Sequence, residues 1–310
     1  MKAVRIHGYG DTSVLRYEEA PMPSIAPDEV LVEVHAAAIN PADWQFRYGY
    51  YKEFAPRPMP FILGWDLSGV VRAKGAHVER WKVGDRVMAM ADMTRDGAYA
   101  EFIAVRAEYL APAPTSLSLE HAAGVPLAAL TAWKALFDVG QLQAGQSVLV
   151  HAAAGGVGLF AVQLASRARA RVIATASAAN TELVRSLGAA QVIDYRALDF
   201  SKQVGDVDIV LDTVGGDTRV KSWSVLRKGG MLAAVAMPPP DGAVADEHGV
   251  RAAMTQVRPD GRRLEEIGKL IDAGQLRVLI DSEFPLESAA AAHERSESRH
   301  ARGKIIIRVR

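Results

Sequence analysis

The chain has 310 residues, room for about two domains at roughly 100–200 residues each, and its 49% hydrophobic and 23% charged residues exclude a disordered or fibrous chain. Thirty-six Lys and Arg against thirty-six Asp and Glu leave no net positive field, so neither nucleic acid nor a membrane is expected as a partner. The lack of cysteine excludes disulfides, thiolate nucleophiles and sulfur-ligated zinc, and with a start that carries no secretion signal it makes a cytoplasmic protein the expectation.

Short β-like runs punctuated by Pro and Gly fill the first 115 residues, at 30–34, 68–71, 85–89 and 99–103, and predict an irregular antiparallel β domain. Pro112 and Pro114 then break the chain. Helical signals start with Ser118-Leu119-Glu120-His121 and an Ala-rich run to Phe137, which places a domain boundary near residue 117. From Ser147 apolar strands at 148–151, 171–174, 191–194, 208–211 and 231–235 alternate with helices at 156–169, 181–187 and 220–226. That alternation predicts a parallel sheet covered on both faces.

Gln146 to Ser166 carries no charged residue and has the length of a membrane span, but Gly155, Gly156 and Gly158 in its middle suit a strand, a turn and a buried helix. Beyond Pro238-Pro239-Pro240 come one strand before Pro259, a helix over 262–273 and short strands at 278–280 and 304–309. So apolar a last strand must pair somewhere. The economical expectation is that 258–310 completes a domain begun by 1–116, with the parallel-sheet domain, 117–257, inserted within it.

The sharpest local signal is Val148-Leu149-Val150-His151-Ala152-Ala153-Ala154-Gly155-Gly156-Val157-Gly158-Leu159, a strand running through a small-residue turn into a helix. It is a dinucleotide fingerprint with Ala153 in the first glycine position. Small residues let the backbone of Ala153, Gly155, Gly156, Val157 and Gly158 approach a pyrophosphate, and free N–H groups at the helix start hold it. An NAD site usually places Asp or Glu about 20 residues on, to bind the ribose 2′-OH. Here the chain reads Thr175-Ala176-Ser177-Ala178-Ala179-Asn180-Thr181, with no carboxylate. That permits a 2′-phosphate, to which Ser177 and Asn180 can donate hydrogen bonds, so NADPH is the expected cofactor.

With these residues in view, the whole chain resembles the medium-chain dehydrogenase/reductase superfamily, in its zinc-independent quinone oxidoreductase-like branch. The landmarks are Ile39-Asn40-Pro41-Ala42-Asp43, Gly64-Trp65-Asp66-Leu67-Ser68-Gly69, Val83-Gly84-Asp85-Arg86-Val87, Leu130-Thr131-Ala132-Trp133, the glycine turn, and Arg302-Gly303-Lys304-Ile305-Ile306. The resemblance implies an α/β protein: a chaperonin-10-like antiparallel β domain plus a doubly wound parallel-sheet Rossmann domain, with the cofactor in the cleft between them. It implies Thr131 near the nicotinamide carboxamide, Ser177, Tyr195 and Arg299 as adenosine-phosphate contacts, and Asn40 and Tyr51 at the nicotinamide end. The plainer alternatives are a sheet-edge cap for Tyr195, a solvated Arg299, a helix hydroxyl bonding its own backbone for Thr131, a turn residue for Asn40 and a hydrophobic clamp for Tyr51.

The departures carry the chemistry. Zinc-dependent relatives place Cys near position 40 and Gly-His-Glu where this chain has Gly64-Trp65-Asp66, so no metal is expected. Without a Lewis acid a plain ketone is hard to reduce, whereas a quinone or conjugated enone delocalises the charge that hydride delivers. The expected reaction is hydride transfer from NADPH to such an acceptor, with Tyr51 or Asn40 donating to its oxygen. An aromatic run of Trp44, Tyr48, Tyr50, Tyr51 and Phe54 is expected to form a lid over a flat substrate, or else a hydrophobic loop buried against its neighbour. The competing functions are a non-catalytic NADPH-binding sensor or structural protein and an enoyl-thioester reductase. The resemblance also implies a homodimer paired edge to edge, for which the strand before Pro259 is the candidate edge.

Overall fold

A computed structural model describes residues 1–53 and 55–310, so Phe54 lies outside the described residues. The chain divides into two compact units, Met1–Ala128 with Arg258–Arg310, and Ala129–Val257.

The first unit is built on antiparallel strands: β1 (Lys2–Ile6), β2 (Leu15–Glu19), β3 (Glu29–Ile39), β4 (Phe61–Ile62), β5 (Asp66–Lys74), β6 (Arg86–Met90), β7 (Phe102–Arg106) and β8 (Leu110–Pro112). One sheet has the order β2-β1-β4. In the other, β3 is the axis, pairing antiparallel with β5 and with β7. Helix α1 (Pro41–Tyr48) follows β3, and α2 (Leu119–Ala122) packs on β3 and β5. That packing moves the division past the boundary expected near 117, because α2 and the start of α3 (Pro126–Trp133) stay with the β domain.

The second unit is a six-stranded parallel sheet of order β11-β10-β9-β12-β13-β14, made from β9 (Ser147–Val150), β10 (Arg171–Ala176), β11 (Gln191–Asp194), β12 (Val207–Asp212), β13 (Leu226–Ala234) and β14 (Arg251–Met254). Its connections include α4 (Gly156–Arg167), α5 (Thr181–Ser186), α6 (Gly216–Ser222) and α7 (Gly242–His248). Leu149, Val150, Val210, Leu211 and Leu232 are buried completely, as expected of strands covered on both faces. The uncharged stretch 146–166 resolves into β9, a turn and α4. The longer apolar helical run Leu119–Val139 is long enough to cross a bilayer, and most of it is buried inside the protein.

The tail then supplies α8 (Gly261–Asp272), β15 (Ile280–Pro285), α9 (Ala289–Glu297) and β16 (Lys304–Arg308) to the first unit. Strand β16 lies between β15 and β3, with Ile306 opposite Ala38. Three expected elements shift. The strand read at 99–103 begins at Phe102 and runs to Arg106. The helix read at 220–226 ends at Ser222, because Leu226 already pairs with Val207 as the first residue of β13. The strand read at 278–280 instead starts at Ile280 and runs to Pro285 alongside β16.

Candidate functional site

Residues 151–155 join β9 to α4. Ala152 takes a left-handed backbone, φ 47°, uncommon for a residue with a side chain. Its carbonyl turns back and accepts the N–H of Gly155 at 2.9 Å. The same oxygen lies 2.4 Å from where a Cβ on Gly158 would stand, and the Ala153 Cα lies 2.7 Å from that point. Only glycine permits so close a start to the helix. Gly155 is the N-cap and brings no side chain, so the first N–H groups of α4, from Gly156, Val157 and Gly158, are left without an intrahelical acceptor. Such a terminus stabilises an anion by about 0.3–1 kcal/mol when exposed and up to about 2 kcal/mol when partly buried. Ala153 also anchors the turn. It is buried, and its N–H donates to the Thr175 carbonyl at 3.0 Å, tying the turn to β10.

Beneath the turn lies a histidine that the fingerprint had not drawn attention to. His151 is buried, with Nδ1 3.1 Å from Thr175 Oγ1 and Nε2 3.0 Å from Ser222 Oγ. Burial pushes its pKa down to about 4, against the pull of Asp212, so the ring is neutral. Asp212 in turn accepts the N–H groups of Val214 and Gly215 and pairs with Arg219 at 2.6 Å, while Arg219 also donates to the carbonyls of Ala236 and Pro238. One buried ion pair thereby fixes two loops at the carboxyl ends of the strands.

At the end of β10, Asn180 Nδ2 donates to Ser177 Oγ at 3.1 Å, which leaves the Ser177 hydroxyl proton for another acceptor. The exposed Tyr195 stands beside them, its N–H 3.3 Å from the Ala176 carbonyl. Arg196, which sequence reasoning missed although it directly follows Asp194-Tyr195, places its guanidinium 5.7 Å from the Tyr195 ring centre. Ser177, Asn180 and Tyr195 are thus brought together. Thr131 is buried in α3 and its Oγ1 has no hydrogen-bond partner among the described residues, a hydroxyl still open to a polar group such as a carboxamide. Arg299 belongs to the first unit, exposed and at φ 57° beyond α9.

In the first unit the expected donor Asn40 is already spent. It is buried at the start of α1, its Oδ1 accepting from Lys304 Nζ at 2.6 Å and its Nδ2 donating to Asp66 Oδ2 at 2.9 Å and toward the Ala38 carbonyl at 3.4 Å. Lys304 Nζ also reaches the Ile39 carbonyl and Asp66 Oδ2, both at 3.0 Å. Asp66 Oδ1 accepts the N–H of Leu127 at 2.6 Å. An ammonium group, itself buried, therefore sits among the oxygens contributed by Asn40 and Asp66. Asn40 holds the end of β3 to β5 and β16 and has no proton left for a substrate. Asp43, three residues on, accepts from the Asn40 N–H at 2.6 Å and from the Tyr99 hydroxyl at 3.1 Å. Burial, with Asp66 nearby, pushes Asp43 up to about 7 against those hydrogen bonds and the attraction of Lys304.

Tyr51 follows α1. Half-buried, it donates to Gln45 Oε1 at 2.6 Å and stacks on Phe46 with ring centres 4.6 Å apart. Burial raises its pKa. The aromatic run is a helix and its exit, where Tyr48 and Tyr50 stack 5.7 Å apart and Trp44 meets both edge-on. Tyr48 and Tyr50 are exposed and Trp44 is buried, so the run is part core and part surface. Arg47, fully buried, docks α9 through His293 Nδ1 at 3.1 Å and Glu297 at 2.7 Å.

Residues 26–115 match the family described as alcohol dehydrogenase GroES-like domain, and residues 187–307 match that described as zinc-binding dehydrogenase. The human mitochondrial NAD(P)H oxidoreductase RTN4IP1 is 34% identical, over 100% of this chain and 89% of its own length. The chloroplastic NADPH-dependent alkenal/one oxidoreductase of Arabidopsis thaliana is 36% identical, over 99% of this chain and 79% of its own. Among solved structures, the quinone oxidoreductase from Coxiella burnetii superposes with a TM-score of 0.94 at 35% identity, covering 100% of this chain and 99% of that one. The Escherichia coli quinone oxidoreductase complexed with NADPH gives 0.90 at 28% identity, covering 100% of both.

Two outcomes follow from this geometry. Gly158→Ala puts a methyl against backbone that cannot yield cheaply, so affinity for a nicotinamide dinucleotide measured by calorimetry should fall by about tenfold or more, and unchanged affinity contradicts the cradle. Asp43 holds a proton in the folded state between its ordinary value near 4 and about 7, where the unfolded chain has lost it, so its contribution to stability is lost as pH rises through that window. Asp43→Asn keeps an oxygen for Asn40 and Tyr99 and removes this loss. Urea midpoints of the variant should gain on those of the unaltered protein from pH 5 to pH 8, and a constant difference contradicts the assignment.

Proposed function

Because the chain belongs to the medium-chain dehydrogenase/reductase superfamily, in its quinone oxidoreductase-like branch, we propose that it is a zinc-independent reductase that carries hydride from NADPH to a quinone or a conjugated enone. The observation that carries the cofactor reading is the β9–α4 turn, whose free N–H groups and Gly158 cradle fit a pyrophosphate. NADPH, when bound, supplies the hydride.

The chain's own groups do the rest. Ser177 donates to the 2′-phosphate, with Asn180 holding its hydroxyl, Tyr195 beside it and Arg196 adding positive charge. No carboxylate stands in the 175–181 stretch to repel that phosphate. Thr131 offers its unpaired hydroxyl to the carboxamide, and Arg299 is retained as a further phosphate contact. The metal-free reading is supported by the donor set: Asn40 and Asp66 are saturated by Lys304 and by backbone, and the neighbouring position is Trp65.

Tyr51 is the acid of the proposal. Its partner Gln45 can present its amide N–H₂ instead of its oxygen after a half-turn; the Tyr51 oxygen then accepts and its proton is free for the acceptor's developing oxyanion. Asn40 is a positioning residue that fixes the start of the helix carrying Gln45. The proposed assembly is a homodimer through β14, which among the described residues pairs with β13 alone and leaves its outer edge to a second copy.

The test is NADPH consumption, with NADH as control, against ortho- and para-quinones, conjugated enones and an enoyl thioester. Saturable turnover preferring NADPH and a quinone or enone is the expected result. Tyr51→Phe should lower kcat by about 10²-fold or more. NADPH binding without turnover on any acceptor would replace the reductase with a sensor, and turnover confined to the thioester would replace the substrate class. Sedimentation at micromolar concentration should give a dimer; a monomer removes the β14 pairing.

A further inference from the structure

We propose that His151 holds the dinucleotide turn in its binding shape, as a positioning residue acting through a one-way chain of hydrogen bonds from α6 to the backbone of Ala152. The inference rests on the NADPH reading above and adds to it a residue outside the glycine fingerprint.

Each proton in the chain has one place to go. The Ser222 hydroxyl is given to the Thr218 carbonyl, one turn back on α6, at 2.6 Å. Toward His151, Ser222 can therefore only accept, so the ring proton sits on Nε2, 3.0 Å away. In the neutral ring Nδ1 then has only a lone pair, which takes the Thr175 hydroxyl proton across 3.1 Å. The Thr175 oxygen is left as an acceptor for the N–H of Ala152 at 3.3 Å. Were the ring protonated or in the other tautomer, Nδ1 would donate, the Thr175 proton would turn outward, and the Ala152 N–H would face a hydroxyl no longer fixed as an acceptor.

Ala152 is the residue that most needs such a hold. Its backbone is in the left-handed region without being glycine, and its carbonyl both accepts the Gly155 N–H and abuts Gly158. Relaxing Ala152 to an ordinary φ moves that oxygen, and with it the cap residue whose neighbours supply the anion-binding N–H groups. The His151 backbone is anchored as well, its carbonyl accepting from Thr213 Oγ1 at 2.8 Å and its N–H donating to Leu211 at 3.1 Å. The ring is thus held at fixed height below the turn, with Phe200 packed edge-on at 4.6 Å.

The experiment separates this role from that of a merely well-packed core histidine. In His151→Asn the amide oxygen can stand in for Nδ1 and keep the Thr175 proton inward. In His151→Gln the longer amide reaches for Ser222 and leaves Thr175 without its acceptor, and His151→Leu removes both contacts. NADPH dissociation constants from cofactor fluorescence should stay within about threefold for Asn and rise about tenfold or more for Gln and Leu, with the loss appearing in KM for NADPH more than in kcat. Equal weakening in Asn and Leu, or none in any variant, overturns the proposal.

A second measurement needs no cofactor and no variant that folds poorly. Long-range proton–nitrogen correlation spectra of the unliganded, unaltered protein should show His151 neutral with its proton on Nε2, and a proton on Nδ1 overturns the chain. If the unaltered protein fails to bind NADPH, the proposed function falls, while the tautomer still decides the hydrogen-bond chain on its own.

Discussion

The Ala152 carbonyl oxygen stands 2.4 Å from the point where any side chain at position 158 would begin, and that approach governs how β9 passes into α4. Because the helix starts against the turn with no capping side chain, its first N–H groups stay available to an anion. Because Ala152 must sit in a left-handed conformation to aim that carbonyl, the turn needs support from β10 and α6, which Thr175, His151 and Ser222 provide. A helix start with open N–H groups and a buried polar network thus arise from one backbone constraint. The network is satisfied throughout, the condition under which buried polar groups rigidify a site rather than weaken it.

The first unit is organised around a buried charge. Lys304 arrives on β16 and finds its partners on β3, the start of α1 and β5. A lone buried ammonium would cost several kcal/mol, and so would the buried Asp66 carboxylate without it, so the two are stable only together. This binds the tail of the chain to its beginning, and with Arg47 and His293 it sets α1 and the aromatic residues around it. In a family whose model descriptions include zinc-binding dehydrogenase, the chain has put an internal cation among the oxygens of Asn40 and Asp66.

Much of the second unit is legible in the sequence because parallel strands buried on both faces read as unbroken apolar runs, and 148–151, 171–174 and 208–211 fall within or next to β9, β10 and β12. The glycine turn is equally legible, since its constraint is local. What sequence reasoning misses is non-local. Asn40 looks like a free donor until Lys304, 264 residues away, takes its oxygen. His151 adjoins the fingerprint, yet its role comes from Thr175 and Ser222 on other elements. Helix α1 hides behind its aromatic content, although Asn40, Pro41 and Asp43 form a helix-start pattern that could have revealed it. Strand β2 carries exposed charge, an exposed Tyr17 and a half-buried Leu15, too weak a period to stand out.

The most direct measurement is a crystal structure of the protein with NADPH. The account predicts the pyrophosphate on the N–H groups of Gly156, Val157 and Gly158, and the 2′-phosphate on Ser177 beside Tyr195 and Arg196. A pyrophosphate bound away from the start of α4, or a 2′-phosphate left without a protein contact, would contradict it.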